Sequence, residues 1–270
     1  MIYHYCNIAT FKSIIATKQI WLTDITKLND KSEYKSGFDI IQETLKDIGL
    51  SEQAVFKEIT ADKLNNNFQI LVACFSKEGD VGSQWRLYAE DSKGLSIGFD
   101  KAEIEQFNMF NRFTENGFQP IASHVKFFEV TYDELEFKND VKYFIEKIER
   151  NSPILKYQLM SCGLRRFAAI YKDTFFKDER EIRGIVEIEP GRDHRYVLNE
   201  RVNAYKENAI YHKLLISYQT LSAIKEVIIG PNCPLTKEDV DSILHEHCLE
   251  GVTLRYSSGR GKYRIVPDDE

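Results

Sequence analysis

The chain has 270 residues, 43% hydrophobic and 29% charged, with a formal net charge of −6 and a pI near 5.7. That composition suits one large globular domain with a real core, and its acidity argues against a broad nucleic-acid-binding face. No basic leader precedes an apolar stretch and no apolar run reaches membrane-spanning length, so a cytoplasmic protein with no membrane partner is expected.

Taken in chain order, Ile2–Tyr5 reads as a strand. Ile8, Phe11, Ile14 and Ile15 recur at helical spacing and predict a helix over 7–18 with Thr10 near its start. A short strand at Ile20–Leu22 leads into a loop over 24–30, where Asp30 and Glu33 have capping-box spacing. A helix over 36–47 carries Phe38, Ile41 and Leu45 on one side, and a more polar helix is expected over 51–66. The apolar run Ile70–Phe75 predicts a buried strand over 69–76. A turn at Gly79–Gly82, a helix over 83–89, a strand over 94–99 and a helix over 102–107 follow. Residues 108–120 read as loop and 124–132 as a long strand.

Residues 133–173 read as an inserted helical arm, with Val141, Phe144, Ile145 and Ile148 on one helical pattern and Leu164, Phe167, Ala168 and Tyr171 on another. Strands are expected over 175–189, 208–216, 224–230, 252–256 and 263–266, and an amphipathic helix over 236–250. This irregular order predicts one α+β domain over 1–270 rather than a βαβ repeat. The glycines form no Rossmann fingerprint or phosphate loop. Five scattered cysteines without zinc spacing read as reduced thiols, and His245 and His247, two apart, do not share a helix face for a metal.

Three stretches carry chemistry: Tyr3-His4-Tyr5, Ser83–Tyr88 and Glu179–Arg183. His4, as a neutral imidazole, would suit a ribose hydroxyl if a backbone group fixed its tautomer; its plain structural role is a satisfied core histidine. Trp85 and Tyr88 share a helix face and would stack a planar base or a nicotinamide ring, with Arg86 pairing a pyrophosphate. As scaffold, the aromatics would be core anchors and Arg86 an ion-pair partner. Glu179, Glu181 and Arg183 alternate in the expected strand and would point to one face. In a cleft, one carboxylate would stabilise an oxocarbenium-like ribosyl cation and the other would orient an acceptor. On an exposed sheet they would be cross-strand ion pairs.

The blocks IYHYCNIATFKSII, IWLTDITKLNDKSEY, LVACFSKEGDVGSQWRLYAEDSKGLSIGFD, VTYD, FFKDEREIRGIV and IKEVIIGPNC occur in that order between Ile2 and Cys233. In this order they resemble the bacterial family called domain of unknown function 2971, over most of the chain from Tyr3 to about Pro231. That family is grouped on distant similarity with the ADP-ribosyltransferase fold. The resemblance implies a mixed, split β-sheet around a cleft for NAD, which would be consumed as substrate. It implies that His4 holds the ribose, with Tyr5 replacing the usual glycine after it, and that Tyr88 or Trp85 stacks on nicotinamide. It further implies that Glu181, with Glu179 in a Glu-x-Glu arrangement, steadies the cation, and that Arg183 holds the pair or contacts phosphate. The same resemblance implies a toxin or anti-phage defence role, a protein or nucleic-acid acceptor, and a regulatory partner or antitoxin.

Two other readings of the residues stand beside this one. The domain would be a non-catalytic nucleotide-sensing or interaction module, or it would process RNA ends or phosphates through a groove of Arg86, Arg165, Arg166 and Arg183. Otherwise Arg165 and Arg166 are a solvated helix face.

Overall fold

The computed structural model describes residues 1–28, 33–52, 69–108, 112–114, 117–119, 125–148, 153–188, 198–202, 208–218 and 221–262. Its centre is an open ten-stranded sheet. One wing runs β14 (Thr253–Tyr256), β13 (Ile224–Ile229), β4 (Leu95–Phe99) and β1 (Ile2–Cys6). The other runs β9 (Asn199–Val202), β10 (Asn208–Leu215) and β2 (Gln19–Asp24). Both wings meet β3 (Gln69–Ser76), whose far edge pairs along its whole length with β8 (Glu181–Ile188), and β8 pairs with β7 (Lys126–Glu129). Among the described strands of this sheet, only the β13–β14 pair is parallel.

The sheet forks at β3. Since β8 fills one edge from Gln69 to Ser76, β1 and β2 must share the other. β1 pairs there at Ser76, and β2 at Val72 and Leu71. Between these pairings the backbone around Cys74 has no strand partner on that edge.

Alternation along β3 sends Leu71, Ala73 and Phe75 to one face and Ile70 and Val72 to the other. The first face is covered by α1 (Ile8–Thr17), α4 (Lys101–Phe107) and α7 (Lys237–Glu246) through Phe11, Ile15, Ile104, Phe107, Val240 and Leu244. α1 starts cleanly because Asn7 accepts the Thr10 amide, and α7 because Thr236 and Asp239 form a capping box. The second face takes α2 (Glu33–Asp47), α5 (Glu134–Ile148) and α6 (Pro153–Ile170) through Phe38, Ile41, Phe137, Val141, Leu164 and Ala168. At the other end of that face, α3 (Gly82–Tyr88) seats Trp85 against Tyr5 and Ile228. Each such buried side chain contributes about 1.5–3 kcal/mol. The helical segment expected over 133–173 packs into this core layer.

α2 crosses α6 at Gly37, where a Cβ would lie 2.6 Å from the Ala168 carbonyl oxygen and 2.7 Å from its Cα. Backbone cannot move aside as a side-chain tip can. Gly37→Ala is thus expected to destabilise the fold by about 1–3 kcal/mol, read as a lower urea midpoint at unchanged m.

Several expectations need correction. Residues 108–120 contain a hairpin, β5 (Arg112–Thr114) with β6 (Gly117–Gln119). The strand expected over 124–132 is only Lys126–Glu129. β9 and the small β11 (Ser217–Tyr218)–β12 (Leu221–Ser222) pair were not foreseen. The strand expected over 175–189 begins with a 3-10 turn, Thr174–Glu179, capped by Asp173, and Arg180 then adopts a left-handed φ of 45°. The Asp30–Glu33 cap, the helix over 51–66 and the strand over 263–266 lie outside the described residues.

Candidate active site in the sheet fork

A cavity of about 640 Å³ opens where β1 and β2 part. Its size falls in the range of small-molecule sites. It is lined from both sides of the sheet, by Thr10 and Ser13 of α1 and by Gln84 and Tyr88 of α3. The fork explains this, since an intact sheet would separate those layers.

His4 stands at the parting of the strands. Its Nδ1 is 3.2 Å from the Cys74 carbonyl oxygen, part of the β3 backbone left without a strand partner. A carbonyl only accepts, so Nδ1 carries the proton. Burial lowers the His4 pKa below its usual 6.5, against the pull of that hydrogen bond. The ring is therefore neutral at pH 7 with Nε2 as an acceptor, the state the sequence reading required.

The same cavity is lined by a cluster of two acids and two bases. Arg183 holds Glu181 with two bonds, Nε to Oε1 at 2.8 Å and Nη2 to Oε2 at 3.1 Å, and its Nη1 donates to the Ala169 carbonyl at 2.7 Å. Lys172 donates from Nζ to Glu179 Oε2 at 2.6 Å and to Glu181 Oε2 at 3.2 Å. The Tyr88 hydroxyl donates to Glu179 Oε1 at 2.9 Å. Burial alone would raise the Glu181 pKa, but the Arg183 and Lys172 charges overcome it and hold it at about 2. The same Glu179 charge, after burial, pushes the Tyr88 phenol up. Burial also raises the Cys74 thiol well above its ordinary range, reinforced by Glu181, so it is no thiolate at neutral pH.

Local structure delivers each group. Glu181 and Arg183 alternate on β8 and share a face, as expected. Glu179 does not belong to that strand. It arrives from the 3-10 turn, whose end is fixed by the Ser76 hydroxyl donating to the Glu179 carbonyl and by the left-handed Arg180. Lys172 follows α6, held in place by its amide on the Thr131 carbonyl. The Tyr132 hydroxyl accepts the Glu181 amide at 2.8 Å, and burial raises its pKa to about 12.

Of the residues singled out from sequence, His4, Tyr5, Tyr88, Glu179, Glu181 and Arg183 line the cavity. The Tyr5 side chain packs on Trp85 and its hydroxyl donates to the Glu78 carbonyl, so it braces the wall. Trp85 is 1% exposed, donates Nε1–H to Asp80, and does not line the cavity. Of the two aromatics only Tyr88 lines the cavity. Arg86 lies outside the lining, with its Nε 4.0 Å from Asp91 Oδ1. Arg165 is buried against Glu187, which also binds Arg166, so neither a basic groove nor a solvated face of the two is present.

Lys172, Gln84, Trp21 and Arg201 also line the cavity and were missed. Arg201 lies over the Trp21 ring at 5.1 Å, with Trp21 stacked on Tyr211. For Lys172 a signal existed: a lone lysine between a buried helix end and Phe175-Phe176 has little reason to be there without an acid partner. Among the described residues no group of three or more His, Cys, Asp or Glu is arranged to hold a metal, and no helix is long and apolar enough to cross a membrane.

A family profile described as "Protein of unknown function (DUF2971)" matches residues 84–184. That span supports the family resemblance from α3 through α5 and α6 into β8, and it contains Gln84, Tyr88, Lys172, Glu179, Glu181 and Arg183 but not His4. No curated protein and no solved structure matched the chain.

Proposed function

We propose that the forked cleft binds NAD and cleaves its nicotinamide–ribose bond, passing ADP-ribose to an acceptor or to water. The observation that carries this reading is the pair Glu179–Glu181 on one wall of a cavity that also presents a neutral His4. Two carboxylates tied by one lysine are costly to bury and give a fold little that apolar residues would not. Facing a sugar, they have a clear use. As the C–N bond breaks, C1′ becomes cation-like, and a nearby carboxylate stabilises that charge without forming a bond to it.

Glu179 is the carboxylate with room for this, since Tyr88 and Lys172 take one position on each oxygen. Glu181 accepts three hydrogen bonds from Arg183 and Lys172 and a further one from the Cys74 thiol, and serves to set the field and position of its neighbour. His4 Nε2 would accept a ribose hydroxyl, and Tyr88 would meet the nicotinamide face. The forked sheet is in keeping with the split-sheet architecture that the family resemblance implies. The toxin or defence role, and a regulatory partner, belong to that resemblance and remain part of the proposal.

The test is nicotinamide release from NAD by the purified protein, with and without cell lysate as an acceptor source. Release is expected. Absence of both release and NAD binding by calorimetry would sink the reading. A second reading, NAD binding without cleavage, draws on the saturation of Glu181 by Arg183 and Lys172. Binding without release under either condition would select it.

A further inference from the structure

Gln84 precedes Tyr88 by one turn of α3, so the two share a face, and both line the cleft. Gln84 is 5% exposed, and its Nε2 is buried with no partner among the described residues. A primary amide offers donors on one side and an acceptor on the other. Buried amides are nearly always satisfied, and an unpaired one costs stability that an apolar side chain would not. A ligand that completes the amide explains the choice.

The geometry points to Gln84 as the residue that reads the carboxamide of the nicotinamide ring, amide against amide. This rests on the dinucleotide reading above. Tyr88, one turn on, hydrogen-bonds Glu179. Gln84 therefore sits at the end of the cleft where the glycosidic bond would lie, and the group attached there is nicotinamide. An adenine edge has a similar donor–acceptor pair, but it belongs to the far end of the ligand. A carboxylate in place of the carboxamide would satisfy the donor only and set an anionic oxygen against Gln84 Oε1 in a desolvated site.

The experiment is calorimetric titration of the whole protein with NAD, its nicotinic acid analogue and its hypoxanthine analogue. The wild type is expected to bind NAD at least about ten-fold more tightly than the acid analogue, the equivalent of one hydrogen bond. Gln84→Ala should narrow that ratio to about three-fold or less, and Gln84→Met, which keeps the length and fills the space, should do the same. If neither variant folds, the wild-type ratio alone decides. Equal wild-type affinity for NAD and the acid analogue, or a ratio unchanged in both variants, would overturn the assignment while leaving the dinucleotide reading intact. So would variants that lose discrimination against hypoxanthine instead. Failure of the wild type to bind any of the three overturns the dinucleotide reading and this inference with it.

Discussion

Glu179→Gln is expected to lower nicotinamide release from NAD by about 10²–10³-fold while leaving the protein folded, the scale lost when one preorganised electrostatic contact to a transition state is removed. The glutamine keeps the shape and can still accept from Tyr88. Lys172 keeps Glu181 as an ion partner at 3.2 Å. The urea midpoint should therefore move by no more than about 1 kcal/mol of stability. Glu181→Gln gives a different pattern, because it removes the carboxylate charge that Arg183 holds with two bonds, and leaves the buried guanidinium, which also donates to the Ala169 carbonyl at 2.7 Å, without that counter-charge. Activity and stability should fall together there. A Glu179→Gln enzyme at full rate, beside a well-folded Glu181→Gln enzyme without activity, would exchange the two roles.

Arg183→Met is expected to cost about 3–5 kcal/mol of folding stability, the range for stripping a partner from a buried ion pair. Arg183 is 1% exposed, and it supplies two of the three donors that Glu181 receives from Arg183 and Lys172. The double variant Glu181→Gln/Arg183→Met should recover part of that loss, so a double-mutant cycle by urea unfolding will show strong coupling. Acid unfolding gives a second readout. The folded Glu181 pKa, about 2, lies below its ordinary value of 4.5. Its contribution is therefore complete above pH 4.5 and is lost as the pH falls from there toward 2. That depression is worth about 3 kcal/mol. In Arg183→Met the acid-limb slope should shrink. Additive single variants with an unaltered acid limb would show that the pair carries none of this stability.

Much of this molecule could be read from its sequence, for reasons that differ by element. β3 was recovered to the residue because a strand buried on both faces is a continuous apolar run bounded by polar neighbours. α1, α2, α5 and α7 announced themselves by apolar spacing. β9 did not, because an edge strand of Asn199, Glu200, Arg201 and Val202 has no apolar period to show. Arg180 hid the break before β8, since a left-handed residue that is neither glycine nor asparagine leaves no trace in composition.

At the site, His4, Tyr88, Glu179, Glu181 and Arg183 were legible as polar groups too expensive for their apolar surroundings. Trp85 misled because i and i+3 share a face only loosely on a seven-residue helix, and tertiary packing turned its ring toward Tyr5 and Ile228. Arg165 misled because no local pattern shows that Glu187, across the layer, would draw it inside.

The fork also has a mechanical side. The two wings grip the same edge of β3 at separate places, Ser76 for one and Val72 and Leu71 for the other. Each wing keeps its own ladder, so the backbone hydrogen bonds within a wing do not depend on those of the other. On one face α1 spans the gap as a strap, packing Phe11, Ile14 and Ile15 into a core shared by Ile2 and Leu22. His4 reaches across the gap to the free rung of β3, its Nδ1 on the Cys74 carbonyl. A molecule filling the gap would act as a missing rung, and the width of the opening would then be set by what occupies it.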